Sequence, residues 1–277
     1  MRDRERKRIS MKIHGLQKMT LLDFPGRVAC TVFLGGCDLR CPYCHNYELA
    51  TGKVPPIMEE EELFAFLKKR QGLLDGVAIT GGEPCLQPGL PAFMAKIREL
   101  GFAVKLDTNG THPDMLETVL RRGLADYVAM DVKNSPAKYG ITAGISGGAE
   151  TSGTAETSGA AEFKGGAGAP NKEAELLAKI RKSIALLIEA GREDSGTAAA
   201  KLQYEFRTTV VDQLHEVEDF DAIGRMIEGA QRYYLQAFTD RDTVPFAGLS
   251  APSKDKLEAC AAAVSGYVGE VKIRGVD

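Results

Sequence analysis

The chain has 277 residues, of which 44% are hydrophobic and 26% charged, and a formal net charge of -3. That is ordinary for a globular protein of one large or two ordinary domains, and the small charge excludes any global pull toward nucleic acid or an anionic membrane. No run approaches the roughly 20 apolar residues of a membrane span, so the chain reads as soluble and cytoplasmic, with partners to be argued from individual sites.

The first stretch, "MRDRERKRIS", is basic but lacks aromatics and is interrupted by Asp3 and Glu5. Residues 1–12 are therefore expected as a flexible, solvated tail, with a single domain from 13 to 277. From residue 28 onward, β-rich runs alternate with helix-period segments. "VACTVFLGG" is followed by a helix with Leu63, Phe66 and Leu67 on one face, "GVAITGG" by one with Phe93, Ile97 and Leu100, and "FAVKLDTNG" by one that Pro113 opens, with Leu116, Val119 and Leu120. After "DYVAMDVK" comes a stretch from 141 to 172 that is almost entirely Gly, Ala, Ser, Thr and Glu. It carries too few large apolar groups to offset ordering entropy and reads as a flexible insertion. The rhythm resumes with the stripe Leu177, Ile180, Ile184, Leu187 and Ile188, a second, smaller insertion "GREDSGTAAAKLQ", and the strand "YEFRTTVV". Val217, Phe220, Ile223 and Ile227, then "RYYLQAF", then Leu257, Ala261 and Val264, and finally "YVGEVKIRG" complete the series. Strict βα alternation predicts a parallel sheet, open or curled into a barrel.

Six cysteines without a signal peptide are expected to be reduced. Cys30, Cys85 and Cys260 stand alone and are assigned no chemistry. Cys37, Cys41 and Cys44 lie in "GGCDLRCPYCHN", on the loop that leaves the first strand at its C-terminal end, where sites collect in parallel α/β folds. Three thiolates at this spacing can hold three corners of a cubane cluster and leave the fourth iron open. A zinc site of Cys37, Cys41, Cys44 and His45 is the alternative, although adjacent Cys44 and His45 would have difficulty reaching one tetrahedral ion. His14, His45, His112 and His215 match no ligand spacing and read as loop or surface residues.

Other strand ends carry polar groups as well. In "TGGEP", Gly81 and Gly82 permit close backbone approach and Glu83 offers a carboxylate that could meet an ammonium group. "LDTNG" brings Asp107 and Asn109, and "MDVK" brings Asp131 and Lys133, which strand alternation would place on one side; a plain Asp131–Lys133 surface pair is the other reading. Arg207, a charge within an apolar strand, either reaches a ligand in the polar mouth or forms a simple ion pair.

A Cys-x-x-x-Cys-x-aromatic-Cys motif after the first strand, with "GGEP" after the second, resembles the radical S-adenosylmethionine (SAM) superfamily. The resemblance implies a partial parallel (β/α)6 barrel and a 4Fe-4S cluster on Cys37, Cys41 and Cys44. The fourth iron would be chelated by SAM, which the enzyme cleaves reductively. It further implies that Gly81, Gly82 and Glu83 lie at the methionyl amine, the backbone at Tyr43 at adenine, and Lys133 at the methionyl carboxylate. Asn109 and Arg207 are counted among the SAM-binding residues, and Asp107 and Asp131 match the pair that holds a monovalent cation; the Tyr43 ring can equally serve the core.

"MKIHGLQKMTLLDFPGRVACTVFLGGC", "DVKNSPAKYG", "YEFRTTVV" and "YYLQAF" resemble the activating proteins of anaerobic ribonucleoside-triphosphate reductase. That implies the glycyl radical subunit of the reductase as partner and flavodoxin or ferredoxin as electron donor. Cys85 after "GGEP", "VVDQ" in place of a Pro-Gly turn, and the two insertions depart from the pattern. No cysteine-rich extension suggests auxiliary clusters, and an open barrel mouth suits a protein loop. Two alternatives stand beside this reading: a radical SAM enzyme acting on another glycyl radical enzyme, a peptide or a small molecule, and a non-enzymatic zinc-binding module.

Overall fold

The computed structural model describes residues 10–145, 170–192 and 202–275. The first nine residues of the expected tail and most of both expected insertions lie outside the described residues. Nine strands are described: β1 (Lys12–Thr20), β2 (Ala29–Leu34), β3 (Met58–Glu59), β4 (Gly76–Gly81), β5 (Ala103–Thr108), β6 (Tyr127–Asp131), β7 (Gln203–Val210), β8 (Arg232–Ala237) and β9 (Glu270–Arg274). The helices are α1 (Tyr47–Ala50), α2 (Glu60–Lys68), α3 (Leu90–Glu99), α4 (Pro113–Arg121), α5 (Tyr139–Ala143), α6 (Pro170–Ala190), α7 (Val217–Met226) and α8 (Lys254–Val264). The strand order is β3-β1-β2-β4-β5-β6-β7-β8-β9. Pairing is parallel through β2-β4-β5-β6 and through β7-β8-β9, and antiparallel where β1 meets β2 and β3. This is the α/β, mostly parallel architecture expected of the partial barrel, with β2 and β4 to β8 as the six βα strands.

The chain divides into two compact units, Met1–Asp38 with Glu48–Asp131 and Lys182–Glu205, and Leu39–Tyr47 with Val132–Arg181 and Phe206–Asp277. In the first, β2, β4, β5 and β6 are largely apolar because helices claim one face and an interior cluster the other, where β5 also carries Lys105 and Asp107. Leu63 and Leu67 of α2, Phe93 and Ile97 of α3, and Leu116 and Val119 of α4 are buried, as their spacing predicts. On the other face Phe24, Ala29, Tyr127 and Ala129 pack together, with the Phe24 and Tyr127 rings edge to face at 6.2 Å. In the second unit Phe206, Tyr233 and Leu235 are buried with Phe220, Ile223, Leu257, Cys260 and Val264.

Several boundaries differ from the sequence expectation. The flexible tail ends before residue 12: Met11 is buried, its N–H donates to Glu60 Oε2 at 2.8 Å, and β1 starts at Lys12. Strand β6 ends at Asp131, so alternation does not reach Lys133. The stretch expected as an insertion begins inside α5 and its last residues open α6. Thr142 is anchored by Asn134 Nδ2 at 2.9 Å, which gives this polar segment a buried hydrogen bond in place of apolar contacts.

Candidate active site

In the first unit, the loop after β4 and the start of the cysteine loop are joined backbone to backbone. Gly82 N–H donates to Leu34 O at 2.9 Å and Glu83 N–H to Gly36 O at 2.8 Å. A Cβ on Gly82 would stand 2.0 Å from Gly36 O, and one on Gly81, whose φ is 116°, would stand 2.3 Å from Leu34 O. The close approach expected at Gly81 and Gly82 is thus made to the loop that carries Cys37. Cys37 itself is half-buried, and its N–H donates to Ala50 O at 3.1 Å.

The Glu83 carboxylate is fully buried. Oε1 accepts from Cys85 N–H and Thr108 Oγ1, each at 2.8 Å, and Oε2 from Asn109 N–H at 2.6 Å. Where the sequence offered a carboxylate to an ammonium group, the structure spends it on donors from the loops after β4 and β5, tying the two together. Burial pushes its pKa up from 4.5 to about 7 against the pull of those three donors. Asn109, held this way, accepts from Thr111 N–H and Oγ1 through Oδ1 and directs Nδ2 at Asp38 Oδ1, 3.2 Å away, and at Cys37 Sγ, 3.6 Å away. An N–H aimed at a cysteine sulfur is the contact that stabilises a thiolate and tunes a cluster bound to it. His112 Nε2 lies 3.3 Å from the other Asp38 oxygen.

Asp107 and Asp131 occupy one face of the sheet, since Asp107 is opposite Ala129 and Asp131 follows two residues later. The same face carries Lys105, opposite Tyr127, and the Lys105 ammonium is bonded to Asp107 Oδ1. Sequence reasoning passed over Lys105, although a lysine two residues before Asp107 in an apolar strand was visible in "FAVKLDTNG".

In the second unit Cys41 is buried, Cys44 is half-buried, and Cys44 N–H closes a turn onto Cys41 O at 3.2 Å. Tyr43 is buried at 5% exposure. The loop rests on the end of α5: Arg40 N–H donates to Ala143 O at 3.0 Å, and a Cβ on Gly144 would meet Arg40 O at 2.0 Å. His45 stacks on Phe238, 5.7 Å between centroids, and its Nε2 meets Thr239 O at 2.7 Å. Lys133 is half-buried in the loop after β6. Its carbonyl accepts from His215 Nε2 at 2.8 Å, and Asn134 Nδ2 donates to Leu214 O at 2.9 Å. His215 is fully buried, contrary to the surface role expected for it. Burial lowers its pKa, so the ring is neutral, with Nδ1 accepting from Val211 N–H at 3.1 Å. Arg207 is half-buried on β7 and its carbonyl accepts from Val132 N–H at 2.9 Å.

Among the described residues no three His, Cys, Asp or Glu side chains converge as ligands of a single ion would. A cubane places each thiolate on a different iron, so its ligands need not converge, and the amide pointed at Cys37 fits a sulfur that carries charge. Cys30, Cys85 and Cys260 are buried, and burial raises the thiol pKa at all three, to about 12 at Cys30 and about 11 at Cys260. Their thiols thus resist the deprotonation that metal ligation requires. Among the described residues no helix is long and apolar enough to cross a membrane.

Residues 31–147 match the radical SAM superfamily. A candidate glycyl-radical enzyme activating enzyme of Methanocaldococcus jannaschii is 28% identical over 268 residues, covering 96% of each chain. The pyruvate formate-lyase-activating enzyme of Clostridium pasteurianum is 35% identical over 131 residues, which span 44% of this chain and 52% of that one. A 7-carboxy-7-deazaguanine synthase of Thermococcus kodakarensis is 34% identical over 133 residues, or 41% and 52% of the two chains. In fold, the chain is similar to a solved structure of TYW1 with a lysine-pyruvate adduct bound, with a TM-score of 0.55 and 16% identity over 87% of this chain and 73% of that one.

Proposed function

We propose that this chain, whose residues 31–147 match the radical SAM superfamily, is a radical SAM protein that activates a glycyl radical enzyme, namely the glycyl radical subunit of anaerobic ribonucleoside-triphosphate reductase. The family implies a 4Fe-4S cluster and SAM as cofactors. When bound, the cluster supplies the electron that breaks a carbon–sulfur bond of SAM, giving methionine and a 5'-deoxyadenosyl radical able to take a hydrogen atom from a glycine Cα. Cys37, Cys41 and Cys44 would hold the cluster. The chain's own work is positional: the Gly81-Gly82 backbone fixes the loop that carries Cys37, Asn109 aims its amide at the Cys37 sulfur, and His215 holds the loop of Lys133.

The observation that carries the activating role is the match over 96% of both chains to the candidate activating enzyme of M. jannaschii, whereas the other two relatives named above match over 52% of their length. The choice of ribonucleotide reductase rests on the sequence stretches that resemble its activating proteins, and flavodoxin or ferredoxin is the proposed donor. The test is anaerobic turnover of cluster-loaded protein with SAM, reduced flavodoxin and the glycyl radical subunit of the reductase. Methionine and 5'-deoxyadenosine should form only when that subunit is present. Equal stimulation by pyruvate formate-lyase would move the assignment to another glycyl radical enzyme, and turnover indifferent to both would favour a peptide or small-molecule substrate.

A further inference from the structure

We propose that Lys105 serves as the site's own monovalent cation. Its ammonium, seated on Asp107 in the interior of the first unit, takes the place of the alkali ion that Asp107 and Asp131 are expected to hold, and makes SAM binding independent of such ions. The proposal rests on the radical SAM reading above.

Lys105 lies in the middle of β5, with Ala78 opposite on one side and Tyr127 on the other. Its side chain is 3% exposed and that of Asp107 is 14% exposed, so the ion pair is buried at its cationic end and reaches the edge at its anionic end. A buried ammonium in a parallel strand is costly, and an apolar side chain would fill the same volume at lower free energy. What holds the charge in place is the Asp107 carboxylate and, less directly, the face of Tyr127, whose centroid is 5.9 Å from Nζ. Tyr127 is itself fixed from its far end, where its hydroxyl donates to the buried Glu205. The lysine is therefore braced by a neighbouring strand and presented to one carboxylate.

An alkali ion needs several hard oxygen ligands at one point. One of the two carboxylates assigned to it already has a cation on its Oδ1, and among the described residues no three His, Cys, Asp or Glu side chains are grouped to hold one ion. A carboxylate already paired with a buried ammonium fits an internal cation better than a separate one. The positive charge that an alkali ion would bring to a site for an anionic methionyl carboxylate is then covalently supplied.

The experiment uses cluster-loaded full-length protein, with tetramethylammonium chloride exchanged for potassium or sodium chloride at constant ionic strength so that screening does not change. Two quantities are read: the dissociation constant for SAM by equilibrium dialysis, and the melting temperature without SAM. For the wild type both should be the same in all three salts. Lys105→Met should bind SAM at least about tenfold more weakly in tetramethylammonium, recover on addition of potassium or sodium, and melt at least about 2 °C higher in those salts. Lys105→Arg, which keeps the charge, should behave as the wild type does. A wild-type dissociation constant that tightens more than about threefold with potassium or sodium would overturn the proposal, as would a Lys105→Met protein that matches the wild type in tetramethylammonium. Should Lys105→Met not fold, the wild-type and Lys105→Arg arms still decide. Failure of the wild type to bind SAM at all would fall on the radical SAM reading, and the melting arm would then decide the ion pair by itself.

Discussion

Replacing Gly82 with alanine tests how the second strand's loop supports the cysteine loop. The added methyl would lie 2.0 Å from Gly36 O and 2.7 Å from Gly36 C, both backbone atoms with no rotamer to escape into. Contact at about 3.4 Å is the ordinary lower limit, so the backbones must part by more than an ångström. That separation breaks the Glu83 N–H to Gly36 O bond of 2.8 Å and strains the Gly82 N–H to Leu34 O bond of 2.9 Å. Each such group left unpaired costs about 1–3 kcal/mol, so the variant should lose roughly 3–5 kcal/mol. For a chain of this size that corresponds to a fall in melting temperature of about 10 °C. Because Gly36 directly precedes Cys37, iron retained after anaerobic reconstitution should fall as well. Gly26→Ala is the control: it has φ 72° and open space around it, and should cost only the left-handed backbone penalty of about 1 kcal/mol, with full iron content. A Gly82→Ala protein that melts within a degree or two of Gly26→Ala and retains its iron would refute the reasoning.

Three further outcomes follow from the site. Cys37→Ala, Cys41→Ala and Cys44→Ala should each lose the cluster by iron and sulfide analysis, while Cys30→Ala, Cys85→Ala and Cys260→Ala keep it; iron loss in the second group would reveal a ligand outside the motif. Glu83 has its folded pKa raised from 4.5 to about 7, so its stabilising contribution is complete below pH 4.5 and lost as pH rises toward 7. The unfolding free energy should accordingly fall by up to about 3 kcal/mol across that window, and Glu83→Gln should remove that part of the slope in urea titrations at a series of pH values. His215→Leu takes the donor from the Lys133 carbonyl and the acceptor from Val211 N–H, costing about 2–4 kcal/mol. It should weaken SAM binding with the cluster intact, and His215→Gln, which keeps a donor near Nε2, should recover part of the affinity.

The parallel strands were legible because each is a short, nearly continuous apolar run, a pattern that only burial on both faces produces. Strand β1 was not: "KIHGLQKMT" has exposed positions at Lys12 and at Gln17 to Met19, and it is held by backbone pairing to β2 more than by an apolar face. The motif cysteines and the glycine pair could be picked out by spacing. What the glycines approach could not, because Leu34 and Gly36 meet them only once β2 and β4 are in register. The Glu83 carboxylate was visible in "TGGEP", but its partners, the Cys85 and Asn109 N–H groups and the Thr108 hydroxyl, were not, because two of the three come from the end of β5 and the loop after it. His215 was missed for the same reason, its partners being the main chain at Lys133 and Val211. Lys105 could have been found, since charge at i and i+2 in an apolar strand predicts an ion pair on one face.

On the proposed function, this protein removes a hydrogen atom from a backbone glycine of a glycyl radical enzyme. The most direct measurement is electron paramagnetic resonance on the glycyl radical subunit of anaerobic ribonucleotide reductase, prepared with ordinary glycine and with glycine deuterated at Cα. Each sample is mixed anaerobically with cluster-loaded protein, SAM and reduced flavodoxin. The account predicts a doublet from the one remaining α-proton, collapse of its splitting in the deuterated subunit, and one deuterium carried into 5'-deoxyadenosine. Formation of 5'-deoxyadenosine without label and without a doublet would contradict it.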